Sequence, residues 1–137
     1  MKNTFDTDAI LYKILAQSDI KNQINGGIYY EGDRPTDSTS EDITINSISL
    51  SQDFLPQIGV SNVNIYVSDK KMSIKGKERF VADRQRLKTI TQKVTDILRS
   101  ARVDNLLFTL QSQEVTPEIN VKQHFTNIRL SWNIQEE

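Results

Sequence analysis

The chain contains no cysteine among its 137 residues. Disulfides, thiolate nucleophiles and zinc ribbons are thereby excluded. One histidine, His124, is the entire imidazole complement, so a metal site would have to be built from carboxylates alone. No apolar run approaches the ~20 residues that a bilayer-spanning helix needs. The N-terminus carries no signal-peptide pattern, and the reading is of a soluble, intracellular domain with no membrane partner. Charge of one sign is also missing: 17 basic and 18 acidic side chains give a net −1, which argues against a general polyanion binder. Internal repeats and heptad runs are absent.

What is present suffices for one folded domain over residues 1–137. Ile, Leu, Val and Phe total 39 residues, about 28% of the chain, above the ~20% below which disorder is expected. A chain of this length should bury roughly 65–70% of its unfolded surface. The near-neutral total conceals a segregation. Residues 1–60 carry 4 basic and 9 acidic groups, residues 61–103 carry 11 and 4, and residues 104–137 carry 2 and 5. Such a chain can present opposed charged surfaces suited to docking or self-assembly. Alternatively, the pattern reflects no more than Lys/Arg-rich helices and Asp-rich loops.

Hydrophobic spacing sets the element order. Ile10, Leu11, Ile14 and Leu15 share one arc of a helical wheel, which predicts a helix over 7–21 capped by Asp6 or Thr7. Asn25-Gly26-Gly27 ends it with a turn signal, and Ile28-Tyr29-Tyr30 reads as a short strand. Residues 31–42 are polar, with almost nothing to bury, and read as a mobile loop. Ile43 and Ile45 alternate with polar residues, as do Ile48 and Leu50, but the phase shifts by one. A β-bulge near Asn46-Ser47 would keep both pairs inward. Residues 54–59 form a connection in which Pro56 cannot donate to a ladder. Val63, Ile65 and Val67 then mark an inward-facing strand over 62–67.

Residues 68–79 read as a second mobile loop, with five basic residues in twelve. The clearest signal follows. Leu87, Ile90, Val94, Ile97, Leu98 and Ala101 line about 100° of a helix running from about Asp83 to Ala101. Arg86 and Lys93 flank one edge of this stripe, and Arg84, Lys88, Arg99 and Arg102 the other, where such side chains lay their methylenes on the surface. Leu106, Phe108 and Leu110 alternate, as do Ile128, Leu130, Trp132 and Ile134, giving two strands joined by a long loop around Pro117. The order α-β-β-β-α-β-β predicts an α+β fold: a mostly antiparallel sheet, one long amphipathic helix packed on it, and a shorter N-terminal helix.

A search for chemistry finds little. His124 lies beside Gln123 and Phe125 with no nucleophile-elbow sequence, and reads as a surface or edge-strand histidine. Glu41-Asp42 are adjacent carboxylates that point different ways along an extended chain. Asp33, Asp37 and Glu41 recur every four residues, but without the glycine turn of a calcium loop. The glycines at 26–27 follow a helix and precede a strand, the reverse of a phosphate-binding loop. No catalytic, cofactor-binding or metal-ligating residue is assigned, and the chain does not read as an enzyme. Base stacking would need aromatics on a solvent-facing sheet surface. Tyr66 is one candidate, while Phe108 and Trp132 share the phase of the core.

Several local strings carry a resemblance. Gly26-Gly27-Ile28-Tyr29-Tyr30, the loop Gly32-Asp33-Arg34-Pro35, Glu41-Asp42-Ile43-Thr44-Ile45-Asn46 and Val63-Asn64-Ile65-Tyr66-Val67 occur between an amphipathic first helix and a core helix followed by two strands. From about residue 7 to 134, this layout resembles phage tail-terminator (tail-completion) proteins. The resemblance implies a structural subunit that assembles with itself, usually as a hexameric ring capping the tail tube, and that offers a docking surface to the head connector. Its partners would be the tail tube protein and head–tail connector proteins, with DNA passing through without sequence readout. Its setting would be the host bacterial cytoplasm during assembly and then the virion tail. The charge pattern adds candidate subunit contacts: Lys70, Lys71, Lys75, Lys77 and Arg79 on one side, Asp33, Asp37 and Glu41 on the other. Another neck or adaptor component, or a standalone nucleic-acid-binding module, remains open.

Overall fold

The computed structural model describes residues 1–101 and 106–136. Helix α1 spans Thr4–Gln17. It starts earlier than expected because Asn3 caps it. The Asn3 side chain accepts from the amides of Phe5 (3.0 Å) and Asp6 (3.3 Å), and Asp6 reaches back to the Asn3 amide at 2.8 Å. This reciprocal box satisfies donors that a helix start otherwise leaves open. The helix also stops sooner, at Ser18, whose hydroxyl donates to the Leu15 carbonyl at 2.6 Å, and Ile20–Asn22 form a separate 3-10 turn. Helix α2 spans Arg84–Ser100, capped by Asp83, and buries Leu87, Ile90, Val94 and Leu98. The stripe read from the sequence is therefore the core face. Arg102 falls outside the described residues.

The strands are β1 (Ile28–Tyr30), β2 (Ile43–Leu50), β3 (Gln57–Ser68), β4 (Lys70–Ile74), β5 (Lys77–Val81), β6 (Leu106–Glu118) and β7 (Gln123–Ile134). Five of them form one sheet in the order β1-β2-β3-β7-β6, antiparallel except for the parallel pair β1–β2. Parallel neighbours need a crossover of a dozen or more residues. The polar segment 31–42 is that crossover. The fold is α+β, and the expected element order holds with one addition: β4 and β5 make a second, two-stranded sheet where a loop was expected.

Both helices pack on the same sheet face. Thr7 of α1 meets Ser47 at 2.6 Å and Thr91 of α2 meets Thr126 at 3.0 Å, and both sheet residues share the phase of the buried ladder Val63↔Ile128 and Ile65↔Thr126. The bulge lies between Ser47 and Ser49. Ile43, Ile45 and Leu50 stay in the core, whereas Ile48, the extra residue, is exposed. The opposite sheet face is polar, with Asn127 donating to Asn62 and Asn64 at 3.1 and 2.8 Å.

The connection between β6 and β7 is also shorter than its proline suggested. Glu118 pairs with Gln123, leaving only 119–122 as turn, and Pro117 sits within β6 opposite His124. Because β6 is the sheet's edge strand, a missing amide is tolerated there.

A hydroxyl chain threads the core. The Trp132 indole donates to Ser61 Oγ at 2.8 Å, Ser61 meets Ser47 at 2.7 Å, and Ser47 meets Thr7, which donates to the Thr4 carbonyl at 3.0 Å. It ties α1, β2, β3 and β7 together. Replacing Ser61 with Ala leaves the Trp132 donor and the Ser47 hydroxyl without their shared partner in a dry site. The expected cost is about 1–3 kcal/mol, read as a lowered urea midpoint; an unchanged midpoint would show that the chain does not support the fold.

Candidate functional site

Three features cluster where β3 ends, at the same end as the start of α2. The first is the β4–β5 ribbon. Its pairing runs from Lys70↔Val81 to Ile74↔Lys77, so Lys75 and Gly76 form a two-residue turn. Both have positive φ, 52° and 76°, the geometry of the hairpin turn whose twist matches its strands. Glycine supplies that conformation at the second position without strain. One ribbon face carries Lys70, Met72, Ile74, Lys77, Arg79 and Val81; the other carries Lys71, Ser73, Glu78 and Phe80.

Every residue from Lys70 to Phe80 is exposed. Lys70 pairs with Asp83 at 3.6 Å and Lys71 with Glu78 at 3.0 Å, contacts in water that contribute little. Among the described residues, Lys75, Lys77 and Arg79 have no ion-pair partner. Phe80 lies under the Lys122 ammonium, 4.1 Å from its ring centre. All five expected basic contacts therefore stand together on one projecting element.

The second feature is the crossover 31–42. Arg34 holds it to the sheet. Its Nε donates to Asp42 at 2.8 Å, and its Nη2 donates to Gln123 at 2.6 Å and to the Ser38 and Ser40 carbonyls at 3.3 Å. The guanidinium also stacks over Tyr66, 3.8 Å from its ring centre. Tyr66 in turn stacks with Phe125 at 5.0 Å. The guanidinium on Tyr66 occupies surface that a base-stacking platform would need free. Asp33 and Asp37 stay exposed on this loop.

Glu41 does not join them, and it is removed from the set of surface contacts. Its side chain is 11% exposed and grips Arg86 of α2 through two bonds, 2.6 and 2.8 Å. The Arg86 hydrogen bonds hold the Glu41 carboxyl below its ordinary value, against the opposing effect of burial, and raise Arg86 in turn.

The third feature is His124, whose Nδ1 lies 2.6 Å from Asp69 Oδ1. This is an imidazole–carboxylate pair, which the sequence did not announce because the two residues are far apart in the chain. It lines none of the cavities described. A groove of about 540 Å³ runs between α2 and β6, past Arg84, Leu87, Lys88, Thr91, Gln113 and Val115. A second of about 540 Å³ lies by Phe5, Asp8 and Ser47, and one of about 280 Å³ by Arg34, Tyr66 and Glu118. Among the described residues no three His, Asp or Glu groups converge as a metal site, and no helix is long and apolar enough to cross a membrane. No protein-family model and no curated protein matches the chain.

The Glu41–Arg86 pair has a pH consequence. A carboxyl whose native pKa is depressed adds stability that is complete above its ordinary value of 4.5 and is lost as pH falls through the native value. Asp8 acts oppositely, since burial holds its carboxyl above the ordinary range. Comparing the natural chain with Arg86→Met cancels the Asp8 contribution. The difference in unfolding free energy should be constant near neutrality and shrink as pH drops below 4.5. A difference that stays constant into acid would mean that the pair adds nothing as an ion pair.

Proposed function

We propose that the chain is a structural subunit of the tail-terminator type, which assembles with copies of itself as a ring on the end of a tail tube, with β4–β5 as the arm that holds the neighbouring copy. The supporting observation is the ribbon itself. Two strands without a third, or a helix against them, are marginally stable in water. This pair also leaves Met72, Ile74 and Phe80 at 47%, 38% and 46% exposure. A surface on a partner would bury Met72 and Ile74 and neutralise Lys77 and Arg79, which share their face, in one contact. The exposed carboxylates Asp33 and Asp37, on the crossover loop, give each copy the opposite charge to offer.

The partner is taken to be a second copy because one chain carries both signs, segregated. A head-to-tail contact of this kind closes into a ring when the rotation between copies closes. The tail tube protein and the head connector are the further partners that the resemblance implies, in the host cytoplasm and then in the virion.

The solution mass measured across concentration, with and without a tube-forming protein, tests this reading. The natural chain should give a ring mass or cap tube ends. Lys75→Glu, Lys77→Glu and Arg79→Glu together should return it to monomer with unchanged unfolding. A natural chain that stays monomeric under both conditions, or a triple variant that assembles normally, would sink the proposal. Binding to DNA that weakens steeply with salt, without self-assembly, would favour the nucleic-acid module instead.

A further inference from the structure

The other orphan of this fold is the outer edge of β6. It is the last strand of the five-stranded sheet and, among the described residues, runs for 13 residues with no neighbour on its far side. Long open edges are templates for another strand, and proteins usually blunt them. Here the blunting is partial. The register shift between Leu110 and Ser112 and the proline at 117 bracket a regular stretch over 112–116. That stretch has the length of β4, five residues.

Resting on the self-assembly reading above, we infer that β4 of one copy adds as a sixth strand to residues 112–116 of the next. The two surfaces match in alternation as well as length. Gln113 and Val115 pair with Ile128 and Thr126, so they lie on the helix side of the sheet, where Val115 is exposed at the floor of the groove beside α2. Glu114 lies on the opposite side, opposite Asn127. In β4, Met72 and Ile74 share one face and Lys71 the other. Seating Met72 and Ile74 in the groove over Val115 and Leu87 therefore brings Lys71 to the side of Glu114 and Glu118. On the side away from α2 the charges agree, since β6 has two glutamates and no basic residue; on the groove side Lys70 shares the phase of Met72 and Ile74 and comes to a lining that includes Arg84 and Lys88.

The alternatives fit worse. Pairing through β5 in the same sense would set Glu78 against Glu114. Turning the ribbon over would drive Phe80 into the groove and away from Lys122, which covers it within its own chain. Strand addition supplies backbone hydrogen bonds, with side chains in alternate pockets giving selectivity. It would give the ribbon its missing third strand and the sheet its missing neighbour in one contact.

The chain's lack of cysteine makes a direct test clean. Ile74→Cys and Val115→Cys are introduced together, the protein is assembled and mildly oxidised, and products are sized on a denaturing gel. The expected result is a covalent ladder extending beyond dimer, with each single variant giving dimer at most. Independently, Glu114→Lys with Glu118→Lys should abolish assembly, and adding Lys71→Glu should restore it at least in part. If the natural chain assembles and the ribbon triple variant disrupts it, but no ladder forms and edge reversal is silent, the edge site is wrong and the arm survives. If the natural chain never assembles, both readings fall.

Discussion

The arrangement depends on two adjacent carboxylates that face opposite ways. β1 and β2 run parallel, so the chain must return along the sheet before β2 begins, and it re-enters at Glu41-Asp42. In extended backbone successive side chains point to opposite sides. Glu41 turns to Arg86 on α2, and also accepts from the Asn25 amide at 3.2 Å. Asp42 turns to Arg34, and also accepts from the Gly27 amide at 2.9 Å. One dipeptide thus clamps the long helix, the turn after α1 and the crossover loop to the end of the sheet. Gly26 is part of the clamp. A side chain there would place its Cβ 2.1 Å from the Asp42 carboxylate and 2.4 Å from the Glu41 carbonyl.

Ion pairs this dry are weak contributors to net stability, because desolvating two charges offsets most of their attraction. Their stronger effect is on geometry. An apolar clamp would let the crossover slide, whereas a planar guanidinium accepted by Asp42, Gln123 and two carbonyls has one position. That position fixes which carboxylates remain outside. Asp33 and Asp37 are exposed because Arg34, between them, is committed inward. The acidic face proposed for assembly is thus a by-product of the clamp that holds the crossover.

The same logic separates what the sequence discloses from what it hides. The α2 stripe and the strands of β2, β3 and β7 were legible because they bury apolar groups at a fixed period. Glu41-Asp42 was legible as a pair with divergent directions, but its partners were not. Arg86 and Arg34 are 45 and 8 residues from their carboxylates, and nothing local links them. The crossover looked unable to bury anything because its buried groups are charged. The ribbon reads as a loop in the sequence for the converse reason: it alternates, Met72 and Ile74 against Lys71 and Ser73, but buries neither side. Its usable signal was Lys75-Gly76 between two alternating five-residue runs, a turn with strands on both sides.

Net charge was the least informative quantity and its distribution the most. Three of the basic groups of residues 61–103 are answered within the chain, by Glu41 at Arg86, Asp83 at Lys70 and Glu78 at Lys71. What stays unanswered on the ribbon is Lys75, Lys77 and Arg79, which have no ion-pair partner among the described residues. Exposed apolar area favours any partner, but alternation restricts the choice to a surface with pockets at two-residue spacing. The charge then restricts it to an acidic one. An edge strand with Val115 on one side and Glu114 and Glu118 on the other offers that alternation, with its acidic side toward Lys71, and it belongs to the same chain.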